Sequence, residues 1–90
     1  MELLLVTSSF CAACARTRDV LTEATRLVPA VGLRELDVAR GPDEAEALEI
    51  RSTPTVILRD DDGREVFRAE GVPTVPHVLT VIADALPATG

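Results

Sequence analysis

The amino-acid sequence predicts a single α/β domain, residues 1–90, in which a four-stranded mixed sheet is flanked by helices in the order β-α-β-α-β-β-α. Ninety residues with 47% hydrophobic side chains suffice for one compact core and leave no room for a second domain. Short apolar runs alternate with an amphipathic stretch in the first half of the chain, which favours parallel strands joined by a helical crossover. A turn-linked pair of strands and a second amphipathic stretch follow.

The first three elements are a strand, a helix and a strand. Residues 3–6, Leu-Leu-Leu-Val, form an apolar run without polar alternation, as in a strand that is buried on both faces. Between Cys11 and Val28 the apolar residues recur at helical spacing, which predicts a helix of about four turns that Pro29 and Gly32 end. Residues 33–38 predict the second strand. The apolar face of the helix consists of Cys14, Leu21, Ala24 and Val28.

The next three elements are a short helix and a β-hairpin. Pro42 and the two acids after it suit the first turn of a helix that runs to about Glu49. The strands 55–58 and 64–68 flank residues 60–63, Asp-Asp-Asp-Gly, which are typical of a turn. The triple Asp is interpreted as a solvated turn and not as a cation site, because no ligands of suitable spacing follow it.

The last element is a helix that begins after Thr74, whose hydroxyl can cap it. Its apolar residues recur at spacings of 3, 4, 7 and 11 from the first, and Pro87 is expected to stop it. The residues of this stripe are Val75, Val78, Leu79, Ile82 and Leu86.

The charge balance bears on the class of partner. Fifteen acidic and nine basic residues give a net charge of -6, which opposes attraction to nucleic-acid phosphates and to anionic lipid. The amino terminus has no basic segment, and its apolar run is too short for a signal peptide or a membrane span. We therefore expect a cytoplasmic protein that binds neither nucleic acid nor membrane. Stable structural disulfides are uncommon in the cytoplasm, so two neighbouring cysteines indicate redox chemistry or metal binding.

The two cysteines lie at the junction of the first strand and the first helix. Cys11 is at the start of the helix, where unpaired N–H groups and the helix dipole favour a thiolate. Cys14 lies one turn further on the same face, close enough for a disulfide. This arrangement predicts Cys11 as the attacking thiolate and Cys14 as the resolving thiol of a reversible dithiol.

Two other interpretations of the cysteines stay open. They could be small buried hydrophobic residues without a chemical role. They could also bind zinc, although zinc normally takes four ligands and the other strong candidate, His77, lies about sixty residues away. His77 itself is expected in the first turn of the last helix, where a solvent-facing or capping role is favoured over catalysis.

A second motif, residues 52–55 (Ser-Thr-Pro-Thr), comes directly before the third strand. Proline cannot donate to a sheet ladder, so at a strand start it marks an edge, a turn or a cis bond. Taken alone, Pro54 would be interpreted as an ordinary strand-start residue.

Together, these motifs resemble the thioredoxin family over most of the chain. Residues 10–14 (FCAAC) resemble its aromatic-flanked CxxC, residues 50–55 (IRSTPT) its cis-proline segment, and residues 62–71 (DGREVFRAEG) its last hairpin and glycine. The order and separation of the three also agree. Because the first strand begins at residue 3, the resemblance implies a minimal thioredoxin fold of glutaredoxin size.

The resemblance implies roles for individual residues. Cys11 would be the nucleophile, Cys14 the resolving thiol and Pro54 a cis residue beside them. The backbone of Thr53 would then pair with an extended segment of the substrate.

Two further residues are implied to contact the substrate. Phe10 would replace the tryptophan that usually precedes the motif, and Gly71 would let a partner chain approach closely because it has no side chain. The alternative for Phe10 is ordinary core packing. The alternative for Gly71 is a loop position with a positive φ, which is compatible with either role.

Three departures from the family pattern limit what can be transferred. Leu5 stands where thioredoxins carry a buried acid that helps to deprotonate the resolving thiol, so another group or water must take that proton. Ala12 and Ala13 match neither the thioredoxin nor the glutaredoxin pair, so the redox potential cannot be transferred. Residues 70–74, Glu-Gly-Val-Pro-Thr, replace the glutaredoxin glycines that receive glutathione.

From this resemblance we expect a thiol-disulfide oxidoreductase that reduces protein disulfides as a monomer, without a bound cofactor or metal. Its expected partners are disulfide-containing protein substrates and a thioredoxin-reductase-type electron donor. A glutathione-dependent glutaredoxin is the alternative enzyme. A noncatalytic binding or redox-sensing module with the same fold is the alternative from another class.

Overall fold

The computed structural model describes residues 1–86 and has the predicted order of elements. Pro87, the expected stop of the last helix, lies outside the described residues. The strands are β1 (Glu2–Thr7), β2 (Gly32–Asp37), β3 (Thr55–Arg59) and β4 (Glu65–Glu70), and the helices are α1 (Ala12–Leu27), α2 (Pro42–Ala47) and α3 (Val75–Ala85). None of these helices has the length and apolar character that crossing a membrane requires.

The four strands form one mixed sheet in the order β2-β1-β3-β4. β1 is parallel to β2 and antiparallel to β3, and β3 is antiparallel to β4. At the centre of the sheet, Leu5 is paired with Glu35 on one side and with Val56 on the other. The predicted mixed sheet is thus confirmed, with β1 and β3 as its inner strands.

Both faces of the sheet are covered, which explains the uninterrupted apolar run of β1. Leu3 and Leu5 face α1 and α3, whereas Leu4 and Val6 face α2 on the opposite side. The first face carries the larger cluster of buried residues: Leu3, Leu5, Leu21, Ala24, Val31, Val56, Leu58, Val78 and Ile82.

Helix α1 is oriented by its buried stripe. Cys14, Thr17, Leu21 and Ala24 are buried at spacings of three and four residues. The hydroxyl of Thr17 donates to the carbonyl oxygen of Ala13 at 2.8 Å, which satisfies this polar group inside the core. Because the stripe begins at Cys14, packing of the helix holds that cysteine against the sheet.

Two helix ends differ from the sequence prediction. α2 ends at Ala47, because Glu49 takes a left-handed conformation with φ of 57° that terminates the helix. α3 ends at Ala85, and Leu86 is 46% exposed instead of completing the buried stripe. Both differences arise at the last turn, where unpaired carbonyl groups tolerate several backbone conformations.

Candidate active site

Cys11 caps the amino terminus of α1. It has an extended backbone conformation, and its Sγ accepts a hydrogen bond from the N–H of Cys14 at 3.0 Å. The two cysteines are joined by a disulfide bond, with their Cα atoms 5.2 Å apart. Cys14 is only 1% exposed, whereas Cys11 is partly exposed and lies beside exposed Ala12. An incoming group therefore reaches the sulfur of Cys11 and not that of Cys14.

The amino terminus of α1 contributes a favourable electrostatic environment for a negative charge on Cys11. No acid lies in the first turn of α1, and residues 7–15 contain no charged side chain. The free N–H groups at the helix terminus carry a partial positive charge, which lowers the free energy of a thiolate there. In the reduced protein this position favours ionisation of Cys11 over that of a cysteine inside the helix.

The segment before β3 is tied directly to the segment before α1. The hydroxyls of Ser8 and Thr53 are 2.6 Å apart and share a hydrogen bond. Pro54 is buried, and the peptide bond that links it to Thr53 is cis. The hydroxyl of Thr55 donates to the carbonyl oxygen of Ser52 at 2.7 Å, which closes this turn. Thr53 and Pro54 are thus held on the cysteine side of the molecule.

Gly71 joins the same site from the end of β4. Its N–H donates to the carbonyl oxygen of Pro54 at 3.0 Å. It has φ of 90°, and a Cβ added there would meet no described atom within 4 Å. Glycine is therefore favoured at this position by its positive φ, which L-residues rarely adopt, and not by a lack of space for a side chain.

Phe10 is fully exposed, with a relative accessibility of 108%. The core-packing interpretation of this residue is therefore wrong. Its φ is 56°, in a region that a bulky residue other than glycine seldom occupies. The ring stands in solvent next to Cys11, in a strained backbone conformation for which the sequence around it holds no signal.

One element of the site was missed by the sequence analysis. Glu35 lies on β2 in register with Leu5, and its carboxylate accepts two hydrogen bonds from Arg18 of α1, at 2.7 and 2.8 Å. The buried hydroxyl of Thr7 donates to the same carboxylate at 3.2 Å. The hydrogen bond from Arg18 is the main cause that lowers the pKa of Glu35. Only the strand register, which the sequence does not display, brings these three residues together.

A groove of about 480 Å³ runs beside Thr53, between the start of β3 and α2. Its lining includes the apolar residues Val38, Ala45 and Ile50, together with the hydroxyls of Ser8 and Thr53. The groove therefore offers an apolar floor next to the hydroxyl pair that joins the two segments of the site.

His77 is exposed in the first turn of α3, as expected for a solvent-facing residue. Its ring stacks at a tilt on Phe67, with the ring centres 5.8 Å apart, and its backbone N–H donates to the capping hydroxyl of Thr74. Within residues 1–86, no group of three or more His, Cys, Asp or Glu side chains is arranged to hold a metal ion. Asp60 accepts hydrogen bonds from two N–H groups of its own turn, which is the turn role predicted for the triple Asp.

Comparison with known proteins identifies the fold. No family model matches the sequence, and no curated protein matches it. Among solved structures, a variant thioredoxin from Halobacterium salinarum is 19% identical, with a TM-score of 0.87 over 99% of this chain and 77% of that one. Thioredoxin-2 of a malaria parasite is 17% identical, with a TM-score of 0.86 over 92% and 81%. Fasciola hepatica thioredoxin is 19% identical, with a TM-score of 0.82 over 94% and 80%. The chain therefore has the thioredoxin fold, as the sequence motifs predicted.

Proposed function

We propose that this protein is a thiol-disulfide oxidoreductase that reduces disulfide bonds of other proteins through Cys11 and Cys14. The observation that carries the proposal is the difference between the two linked sulfurs. Cys11 is accessible at a helix amino terminus, whereas Cys14 is buried one turn inside the same helix. A pair of this kind separates an attacking thiolate from a resolving thiol that only its partner can reach.

The reaction takes place in two exchange steps. The thiolate of Cys11 attacks one sulfur of a substrate disulfide, so that a mixed disulfide forms and the other substrate sulfur leaves as a thiolate. Cys14 then loses its proton and attacks the sulfur of Cys11, which releases the second substrate thiolate and closes the Cys11–Cys14 bond. Two electrons pass from the protein to the substrate, and the released thiolates take protons from water.

Substrate binding is assigned to the surface around Cys11. Within residues 1–86 neither the N–H nor the C=O of Thr53 forms a backbone–backbone hydrogen bond, which leaves both free to pair with an extended chain. The exposed ring of Phe10 can cover an apolar side chain of the substrate. Gly71, hydrogen-bonded to Pro54, leaves room for the partner backbone on that side.

The electrons must come from a second partner, because the protein ends each cycle as a disulfide. We assign this role to a thioredoxin-reductase-type donor and place the protein in the reducing environment of the cytoplasm. Glutathione is the less favoured donor, because residues 70–74 carry a valine and a proline where glutaredoxins receive glutathione on glycines.

The test is reduction of an insulin-type disulfide substrate with electrons from purified thioredoxin reductase or, in a parallel assay, from glutathione. We expect turnover with the reductase, none in the Cys11→Ser variant, and stable mixed disulfides in the Cys14→Ser variant. Turnover with glutathione alone would assign the protein to the glutaredoxin class. If neither donor supported turnover although both thiols were free after reduction, the protein would be a binding or redox-sensing module.

A further inference from the structure

The second exchange step raises a problem of proton transfer. Cys14 must lose its proton to attack Cys11, yet it is 1% exposed and lies in an apolar core. Apolar surroundings disfavour ionisation of a thiol, so the step needs a nearby acceptor. Leu5, which lies on the sheet face that α1 covers, cannot accept a proton. In residues 1–86 the buried polar side chains are the hydroxyls of Thr7, Thr17 and Thr55, none of which is a base at neutral pH.

Glu35 lies on the same side of the sheet as Cys14. Residues that pair across adjacent strands have their side chains on the same face, and Glu35 pairs with Leu5. Leu5 packs with Leu21 of α1 in the core cluster, so this is the face that α1 covers. The buried Thr7, two residues after Leu5, belongs to the same face.

The carboxylate of Glu35 is bound to α1 through Arg18, one helical turn after Cys14. Its two oxygens are held by Nε and Nη2 of Arg18 at 2.7 and 2.8 Å. Arg18 follows Cys14 by four residues, so the two lie on one side of α1, about 6 Å apart along its axis. The hydroxyl of Thr7 donates to the carboxylate from below at 3.2 Å.

We propose that the carboxylate of Glu35 is the group through which the buried thiol of Cys14 loses its proton. This inference rests on the proposed function. The proton passes through the hydroxyl of Thr7 or through one bridging water, while the sulfur of Cys14 attacks Cys11 and the Cys11–substrate bond breaks. The substrate sulfur leaves with the electron pair of that bond, and Glu35 ends the step protonated.

The surroundings of Glu35 also let it return the proton. Its side chain is 37% exposed and borders an open cavity of about 520 Å³ that is lined by Asp37 and Arg40 as well. Arg18, with Asp19 beside it, is the charged group that faces the carboxylate from α1, and its hydrogen bond lowers the pKa of Glu35 from an ordinary value that is already below neutral pH. Glu35 is therefore an acceptor before each step and releases the proton to solvent afterwards.

The experiment separates the two exchange steps with dithiodipyridine, which liberates one coloured thiopyridone in each step. Attack by reduced Cys11 liberates the first, and attack by Cys14 on the resulting mixed disulfide liberates the second. The probe is uncharged, so removal of a charge from the protein does not by itself change the rate at which the probe approaches Cys11. In Glu35→Gln we expect the first phase to keep its rate and the second to slow at least about tenfold at neutral pH.

The pH profile distinguishes proton transfer from a structural effect. Between about pH 6 and 8 the second phase of the wild type should change little, because its acceptor is already ionised. In Glu35→Gln the second phase should rise by about tenfold per pH unit, because the thiolate of Cys14 must then form by loss of its proton to solvent.

Two controls isolate the carboxylate from its ion pair. Arg18→Met keeps the carboxylate but removes the guanidinium that holds it, so we expect a second phase that slows less than in Glu35→Gln and that changes little between about pH 6 and 8. Glu23→Gln removes the exposed Glu23–Arg26 pair elsewhere on α1 and should change neither phase. An unchanged second phase in Glu35→Gln, or a second phase in Arg18→Met that rises with pH as steeply as in Glu35→Gln, would overturn the inference while leaving the proposed function intact. Absence of both phases in the wild type would overturn the proposed function itself.

Discussion

The hydrogen bond between Ser8 and Thr53 connects the two segments of the site, and its contribution to stability can be isolated. The hydroxyl oxygens are 2.6 Å apart and both side chains are half-buried. Such a bond contributes about 1 kcal/mol net to the free energy of unfolding. We therefore expect Ser8→Ala and Thr53→Val each to lose about 1 kcal/mol, because each leaves one hydroxyl without its partner. The double variant should lose about the same amount, which amounts to a coupling energy of about 1 kcal/mol.

The same bond should matter for the reaction. It fixes the position of Thr53 relative to the segment that leads to Cys11. If loss of this hydrogen bond raises the free energy of the transition state by about 1 kcal/mol, kcat/KM for a protein disulfide falls about fivefold in either single variant. It should fall no further in the double variant. Alkylation of reduced Cys11 by a small uncharged reagent should keep its rate, because that reagent does not use Thr53.

Denaturant unfolding of the four proteins measures the coupling, and single-turnover reduction of a protein disulfide measures the effect on the reaction. Thr80→Val is the matched control, since the hydroxyl of Thr80 is bound to the carbonyl oxygen of Pro76 on α3. It should show no coupling with Ser8→Ala. A coupling energy below about 0.3 kcal/mol between Ser8 and Thr53 would refute the reasoning, since values of that size are found between independent sites.

Four further outcomes are expected. Cys14→Ser should retain substrate proteins as mixed disulfides through Cys11. Nonreducing electrophoresis should show these adducts, and they should be absent in the variant with both cysteines replaced by serine. Retention through Cys14 in Cys11→Ser would reverse the two roles. Phe10→Gly should raise the free energy of unfolding by about 0.5 to 1 kcal/mol. Relief of the positive φ contributes about 1 to 2 kcal/mol, and the greater freedom of glycine in the unfolded chain offsets about 0.4 to 1 kcal/mol of it. The variant should also bind protein substrates more weakly, and a loss of stability would contradict the strained backbone. Gly71→Ala should cost about 1 to 2 kcal/mol of stability from its φ alone, and a neutral result in thermal unfolding would contradict this. The pKa of Glu35 is lower in the folded than in the unfolded chain, so the stability it contributes is present above its ordinary value of 4.5 and is lost as pH falls through the folded value. On acidification, Glu35→Gln should therefore lose less free energy of unfolding than the wild type does. The difference should be under about 1 kcal/mol, because the side chain is partly exposed. Identical curves of stability against pH would contradict the linkage.

The parts of the fold that follow local rules could be predicted from the sequence. The apolar run of β1 and the helical spacing from Cys14 to Ala24 each identify one element. In both cases the pattern of buried side chains lies within a single strand or helix. The cysteine pair was predictable for the same reason. Cys11 and Cys14 lie within four residues of chain, and their difference in exposure follows from the start of one helix.

The parts that depend on contacts between distant segments could not be predicted. Glu35 has the appearance of an ordinary polar residue on an edge strand, and only its register with Leu5 places it on the face of Cys14. The hydroxyl pair of Ser8 and Thr53 joins residues 45 positions apart, which no local pattern encodes. The backbone conformation of Phe10 could not be predicted for a different reason. The exposure of this residue follows from a left-handed backbone conformation, and aromatic residues have no preference for that region that a sequence could reveal.

The distribution of charge along the sequence bears on the thiolate that we propose for reduced Cys11. A net charge of -6 by itself disfavours one more negative charge, yet residues 7–15, 52–58 and 71–76 contain none of the charged residues that make up 27% of the chain. Cys11, Thr53 and Gly71 belong to these segments. Charged side chains approach from neighbouring positions: Glu46 and Arg51 line the groove beside Thr53, and Glu70 accepts a hydrogen bond from the hydroxyl of Ser52. Acids elsewhere on the surface are screened over a distance of about 8 to 10 Å at moderate salt, whereas the helix terminus acts on Cys11 directly. The start of α1 therefore favours a thiolate at Cys11 in spite of the negative net charge of the protein.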